Sequence, residues 1–216
     1  MKIIDMTQTL YHNCPGWFAY ANAEIGHETV VGVQGYTSER LNINTHTATH
    51  LDAPSHFYPG LDTIDKMPLE KFVGKAIIVD MTGVEPDYGI TPKDLEAYES
   101  LMEKDCIVLI NTGWCKKRGY GEEYYKMWPY LTGEGAKWCR ERGAKGVGID
   151  SMSLGTYSNG RPAHSELLPY GVWIIEEVNF PDEIKEYKTV NFVSVPLKLE
   201  ASGGSPTRAY AIVDNE

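Results

Sequence analysis

The segment CIVLINT, residues 106–112, is a short apolar run of the kind that forms a buried β-strand. The chain contains three more runs of this type, KAIIVDM at 75–81, AKGVGID at 144–150 and GVWIIEEV at 171–178. Helices are predicted between them, at Thr91–Glu103, where Thr91 is the N-cap and Pro92 follows it, and at 133–142. Strands that alternate with helices predict an α/β fold with a mixed sheet.

Further strands are predicted towards both ends of the chain, at 2–8, in a hairpin formed by 28–35 and 36–45, and at 190–199 and 207–213. The sequence contains no internal repeat, low-complexity tract or linker. We therefore expect residues 1–216 to form a single domain.

Composition narrows the range of partners. The net charge of −10, without a cluster of basic residues, argues against binding to nucleic acids or anionic membranes. No segment has the apolar length of a secretion signal or a membrane span. The four cysteines, Cys14, Cys106, Cys115 and Cys139, lack the spacing of disulfide or metal motifs. They are interpreted as buried free thiols, and a cytoplasmic location is expected.

Four potential metal ligands lie together in the segment NTHTATHLDAPSHF, residues 44–57. His46, His50 and His56 are half of the six histidines of the chain, and Asp52 lies among them. The threonines and the proline of this segment disfavour a helix, and a fully extended strand would hold His46 and His50 about 13 Å apart. The chain must therefore curl to bring two imidazoles and a carboxylate to one divalent metal ion.

A second group of potential ligands lies further along the chain. His164 falls in RPAHSELLP, which is predicted to be a turn, and Glu176 and Glu177 end the strand that follows. Successive strand residues face opposite sides of a sheet, so only one of these two carboxylates can face a site. From the residues alone, His164 and Glu176 are either ligands or ordinary structural residues.

The run HTATHLDAPSH, from His46 to His56, resembles the HxGTHxDxPxH signature of the cyclase-like metal hydrolases, which include bacterial kynurenine formamidase and isatin hydrolase. Supporting similarities are IIDMTQTL at 3–10, VLINTGW at 108–114, VGIDSMSLG at 147–155, IIEEVNF at 174–180 and VPLKLEASGGSPTRAYAI at 195–212. Ala48 departs from the signature, because the family usually has glycine there. Alanine would be strained if that position needs a positive φ.

The resemblance implies a swivelling β/β/α fold, usually assembled as homodimers or larger homo-oligomers. It also implies five ligands for one or two divalent metal ions, with Zn expected and Mn as the alternative: His46, His50, Asp52, His164 and Glu176. In the family, the residue that corresponds to His56 transfers protons.

The expected function is metal-assisted hydrolysis of a C–N amide bond in a small N-acyl (arylformamide) or cyclic amide substrate. His56, with an ordinary histidine pKa of about 6.5, would take a proton from the attacking water and return it to the leaving nitrogen. Trp17 and Phe18, with Tyr20 nearby, are candidates for an aromatic substrate pocket, although core packing would also explain them. Two alternatives stay open. One is a lactonase or cyclase/dehydratase that acts on an oxygen-containing ring; the other is a non-catalytic, metal-stabilised binding protein.

Overall fold

The computed structural model describes residues 1–214. Its strands are β1 Lys2–Asp5, β2 Glu24–Thr29, β3 Ser38–Asn42, β4 His50–Asp52, β5 Val73–Asp80, β6 Gly89–Ile90, β7 Ile107–Asn111, β8 Tyr130–Leu131, β9 Gly146–Ile149, β10 Trp173–Glu176, β11 Thr189–Pro196 and β12 Gly204–Val213. Its α-helices are α1 Val31–Gln34, α2 Pro92–Leu95, α3 Glu122–Lys126, α4 Gly133–Glu141 and α5 Arg161–Leu167. Short 3-10 helices lie at Pro54–His56, Leu69–Phe72, Glu96–Leu101, Trp114–Lys117, Leu168–Tyr170 and Asp182–Glu186.

Eight strands form one mixed sheet in the order β1-β12-β11-β5-β7-β9-β10-β4. The strands β5, β7, β9 and β10 are parallel to one another, and the remaining pairings are antiparallel. Because β4 pairs with β12 as well as with β10, the sheet closes on itself. The predicted α/β fold with a mixed sheet is confirmed.

The two faces of this sheet pack into separate cores, because alternate residues of a strand point to opposite sides. Ile78 of β5 packs in one core with Trp173 and Phe192. Its neighbour Ile77 lies in the other core, which α4 and α5 cover with residues such as Leu167. The four cysteines are buried and free, as predicted. Within residues 1–214, no helix has the length and apolar character needed to cross a membrane.

Two predicted elements differ in detail. In the predicted hairpin, β2 ends at Thr29 and pairs with β3, while Val31–Gln34 form a short helix instead of continuing the strand. Gly35 ends that helix with a φ of 82°, a left-handed conformation that glycine adopts without strain. The helix predicted at Thr91–Glu103 begins with the expected capping box but continues after Leu95 as a 3-10 helix.

The prediction of a turn at RPAHSELLP was wrong, because these residues form helix α5 and the start of the next 3-10 helix. Pro162 lies in the first turn of α5, where the missing backbone N–H costs no hydrogen bond. The proline therefore starts a helix rather than breaking one, and His164 projects from that helix.

Candidate active site

The segment that carries the clustered histidines curls at Ala48, whose φ is 55°. This left-handed conformation costs an alanine about 1 kcal/mol, since its Cβ crowds the following carbonyl. The curl reverses the chain before β4 and brings the rings of His46 and His50 to a centroid separation of 5.1 Å. The strained alanine thus stands at the position where the family signature has glycine.

Closure of the sheet places β4 between two strands that complete the site. His50 lies opposite Glu176 of β10, and Asp52 lies opposite Gly204 of β12. Helix α5 packs nearby and directs His164 towards the same carboxylates. Residues that are more than a hundred positions apart in the chain therefore meet at one end of β4.

Two overlapping groups of side chains could each hold a metal ion, and they share Asp52. One consists of His46, His50 and Asp52, and the other of Asp52, His164 and Glu176; within each group the ligand atoms lie within 4.8 Å of one another. Asp52 Oδ1 is 2.7 Å from His46 Nδ1, and Asp52 Oδ2 is 3.5 Å from His164 Nε2. Glu176 Oε2 is 3.5 Å from His50 Nε2. All five predicted ligands thus lie in one cluster.

Hydrogen bonds to the backbone orient two of the imidazoles. His50 Nδ1 lies 2.7 Å from the carbonyl of Ala48, and His164 Nδ1 lies 2.7 Å from the carbonyl of Gly160. In each case the Nδ1–H donates to the carbonyl, which leaves Nε2 directed into the cluster. Glu176 is held by Ser153 Oγ at 3.0 Å and by the Leu154 amide at 2.6 Å.

The charged groups of the cluster shift one another's pKa values. Burial by itself would lower the pKa of His50, but the nearby carboxylates of Glu176 and Asp52 raise it to about 9. Burial would also lower the pKa of His164, but Asp52 and Glu176 raise it to about 10. Burial would raise the pKa of Asp52, but the adjacent imidazoles, chiefly those of His56 and His46, keep it well below its usual range. The carboxylates therefore stay ionised and attract positive charge.

The cluster has the properties of a divalent metal site. The Nε2 of His50 and the Oδ2 of Asp52 are buried, and neither has a hydrogen-bond partner within residues 1–214. Buried polar atoms without partners are costly, and a cation between them would satisfy both. A set of imidazole and carboxylate donors suits Zn or Mn.

His56 lies beside this cluster without belonging to either ligand group. Its ring stacks on that of His46 with a centroid distance of 4.0 Å. Burial is the main cause that lowers the pKa of His56 to about 4, and the positive charges of His46 and His164 act in the same direction. The ring is thus neutral at pH 7, and its pKa lies below the ordinary value of about 6.5 that the sequence suggested.

A cavity of about 530 Å³ opens on the cluster and His56. Trp17, Tyr20 and Phe57 supply aromatic surface to its wall, and Arg161 supplies a positive charge. Phe18, which was predicted with Trp17 to contact substrate, is not among the lining residues. Phe18 is 51% exposed, and its ring packs against those of Trp17 and Tyr157.

Three supporting residues were not identified from the sequence. In the segment SGGSP, residues 202–206, a Cβ at Gly204 would lie 2.5 Å from His46 Cε1, and one at Gly203 would lie 3.1 Å from His56 Cα. The adjacent glycines were the available signal, since glycine allows close backbone approach. Ser153 gave no such signal, because its contact with Glu176 depends on the tertiary fold.

Comparison with known proteins shows the family of this chain. The Cyclase family model matches residues 4–156, which is more than half of the chain. The chain belongs to the cyclase family. This confirms the assignment that the His46–His56 signature indicated.

Cyclase-family relatives match nearly the whole chain. A kynurenine formamidase from Bacillus cereus is 28% identical over 212 residues, which cover 95% of this chain and 95% of that protein. A kynurenine formamidase from Bacillus thuringiensis is 30% identical over 172 residues, covering 79% of this chain and 77% of that protein. Isatin hydrolase A from Labrenzia aggregata superimposes with a TM-score of 0.88 at 26% identity, covering 99% of this chain and 94% of that one. The cyclase-family fold is therefore established over nearly the whole of this chain.

Proposed function

We propose that this cyclase-family protein is a metal-dependent hydrolase that cleaves the C–N amide bond of a small N-acyl aryl amide or cyclic amide. The observation that carries the proposal is that Asp52 is shared by two ligand groups whose other members, His46, His50, His164 and Glu176, line a cavity together with a neutral His56. The names of the relatives support it, since kynurenine formamidase and isatin hydrolase both denote amide hydrolysis.

We assign the five clustered residues as ligands of one or two ions, with Zn as the proposed metal and Mn as the alternative: His46, His50, Asp52, His164 and Glu176. A divalent ion bound there would activate a water molecule and polarise the substrate carbonyl.

His56 is assigned as the residue that moves the proton. Because its ring is neutral at pH 7, it can accept a proton as the water oxygen bonds to the carbonyl carbon. The resulting imidazolium is a strong acid in this environment, so it readily gives the proton to the nitrogen when the C–N bond breaks. The products are an amine and a carboxylic acid, which releases its proton to the solvent as a carboxylate, and His56 returns to its neutral form. A lowered pKa thus favours the second proton transfer, which an amide requires because unprotonated nitrogen leaves poorly.

The cavity suits a small aromatic substrate. Its volume of about 530 Å³ lies within the usual range for small-molecule sites, and Trp17, Tyr20 and Phe57 offer flat apolar surfaces. We propose Trp17 as a substrate contact and assign no direct contact to Phe18.

Two other functions make different predictions. A lactonase or cyclase/dehydratase would use the same metal, but its leaving oxygen would need less help from His56. A non-catalytic, metal-stabilised binding protein would close its coordination shell with protein ligands alone. The cavity beside the ligands, which leaves room for water and substrate, favours an enzyme.

The test is a substrate screen with the matched metal. The purified protein is first analysed for metal content, then loaded with Zn or Mn and assayed on N-formyl aryl amides, cyclic imides and lactones. We expect hydrolysis of the amides in the metal-loaded protein and none after chelation. Turnover of lactones alone would support the oxygen-ring alternative, and no turnover of any class would support a binding protein.

Three broader proposals accompany this function. We propose that residues 1–216 act as a single domain, since one closed sheet includes strands from both ends of the chain. We propose a homodimer or larger assembly, because the segment of 30–41 exposes several large apolar side chains, among them Val33, Tyr36 and Leu41. Light scattering measures the mass of the assembly directly.

The buried free cysteines support the proposal of a cytoplasmic location.

A further inference from the structure

Arg161 differs from every other arginine of the chain. The chain has six arginines, and five pair with a carboxylate: Arg40 with Glu28, Arg118 with Glu177, Arg140 with Glu166, Arg142 with Glu99, and Arg208 with Asp5. Within residues 1–214, no carboxylate lies at ion-pair distance from Arg161. Its side chain makes no hydrogen bond there either, and only its backbone amide bonds to Asn159 Oδ1, at 3.2 Å.

Arg161 lies at the active-site cavity, where its unpaired charge can interact with a substrate. It is the one lysine or arginine among the residues that line the active-site cavity in the described part of the chain. Arg161 and His164 are three residues apart on α5, so their side chains share one face of the helix. The ring of Phe57 lies close to both: its centroid is 5.9 Å from the Arg161 Cζ and 4.7 Å from the His164 ring centroid.

We propose that Arg161 binds a carboxylate group of the substrate and that the natural substrates are aryl amides whose ring carries such a group on the side away from the amide. This inference rests on the proposed amide hydrolysis. An amide at the cluster would place its ring against Phe57, with the far side of the ring directed towards Arg161.

The chemistry of the two groups supports this assignment. A guanidinium matches a carboxylate with two parallel, charge-assisted hydrogen bonds. The chain carries a net charge of −10, so an anionic substrate is repelled unless a local positive charge attracts it. Arg161 supplies that charge at the cavity, and Glu176, which also lines the cavity, accepts hydrogen bonds from Ser153 and Leu154.

The experiment compares the metal-loaded wild type with Arg161→Gln, Arg161→Lys and the control Arg208→Gln, which removes the same charge from an exposed ion pair outside the cavity. The substrates are formanilide, which is neutral, and 3- and 4-formamidobenzoate, which carry a carboxylate. The measured quantity is the ratio of kcat/KM for the carboxylated substrates to kcat/KM for formanilide.

We expect Arg161→Gln to lower this ratio about 10-fold, the usual effect of one charge-assisted hydrogen-bonded contact at an exposed position. Arg161→Lys should recover part of the loss, and Arg208→Gln should keep the wild-type ratio. A ratio in Arg161→Gln equal to that of the wild type overturns the inference, as does an equal decrease in Arg208→Gln.

A binding measurement separates this inference from the proposed function. Titration calorimetry of the metal-loaded proteins with benzoate and with benzamide needs no turnover. We expect Arg161→Gln to weaken the binding of benzoate about 10-fold more than the binding of benzamide. If no formamide is hydrolysed but benzoate binding depends on Arg161, the proposed function fails and the carboxylate site stands. If benzoate binds both proteins equally, the carboxylate site fails.

Discussion

The hydroxyl of Thr49 donates a hydrogen bond of 2.6 Å to the backbone carbonyl of Glu177, 128 positions away in the sequence. Thr49 follows the strained Ala48, and Glu177 itself has a φ of 52°. The same hydroxyl accepts a hydrogen bond from the amide of Gln8 at 2.8 Å. One buried side chain therefore joins the curled histidine segment, the end of β10 and the N-terminal segment, and so holds the two ligand-bearing strands together.

Replacing Thr49 with valine keeps the shape of the side chain but removes both hydrogen bonds. Because the Glu177 carbonyl and the Gln8 amide would lose a partner in a buried position, we expect a loss of about 1–3 kcal/mol in the free energy of unfolding. Urea unfolding of the metal-free protein measures it. Thr63→Val is the control, since its hydroxyl bonds only to Asp65, two residues away. Equal losses in the two variants would contradict a special role for Thr49.

Replacing Ala48 with glycine should stabilise the protein. Glycine avoids a left-handed strain of about 1 kcal/mol, but it also gives the unfolded chain more freedom, so the net gain expected is about 0.5 kcal/mol. Ala201→Gly is a matched control, because Ala201 also has a φ of 55° but is exposed and lies outside the ligand segment. If the free energy of unfolding rises in Ala201→Gly but falls in Ala48→Gly, packing of the Ala48 methyl outweighs the strain.

Asp52→Ala should remove more metal than any other single ligand substitution. Asp52 belongs to both ligand groups, whereas His46 and His164 each belong to one. We expect Asp52→Ala to lose activity and nearly all metal while keeping a folded circular dichroism spectrum, since the apolar cores do not depend on the ion. Metal analysis of Asp52→Ala, His46→Ala and His164→Ala provides the comparison, with the exposed His27→Ala as control. Wild-type metal content in Asp52→Ala would refute the ligand assignment.

His56→Ala should keep the metal but lose roughly 10²- to 10⁴-fold in the rate of amide hydrolysis, the usual contribution of general acid–base catalysis. The loss should be smaller for a matched activated ester, because its leaving oxygen departs without protonation. If His56 only supports the loop, the variant would instead lose stability, and its folded fraction would be equally active on both substrates. Full amide turnover in His56→Ala would exclude the proposed proton transfer.

Metal binding should release protons at pH 7. In the metal-free protein the pKa of His50 is raised to about 9 and that of His164 to about 10, so both side chains are positively charged imidazolium groups at pH 7. An imidazole must be neutral to bind a metal ion, so binding displaces these protons, and affinity should rise as the pH increases towards 9. Calorimetric titration in two buffers of different ionisation enthalpy counts the protons. Identical heats in both buffers at pH 7 would show that none is released.

Local features of this fold were predictable because the interactions that create them lie close together in the chain. The run CIVLINT becomes β7, and the capping box of Thr91 and Asp94 starts a helix where expected. The 3-10 continuation after Leu95 and the helix at His164 were missed, since a propensity pattern distinguishes poorly between helix types and between a proline that breaks a helix and one that begins it.

The candidate site also contains residues that the sequence pattern identifies and residues that only the tertiary fold brings together. His46, His50 and Asp52 lie within seven residues, so their spacing and the need for a curl already pointed to a common metal. Glu176, His164 and Arg161 reach the same cavity because β4 pairs with both β10 and β12 and α5 packs beside them. Such pairings depend on closing the sheet and burying its two cores, which is a property of the whole chain. Residue patterns therefore identified the first ligands, whereas the packing of distant segments determined which other side chains join them.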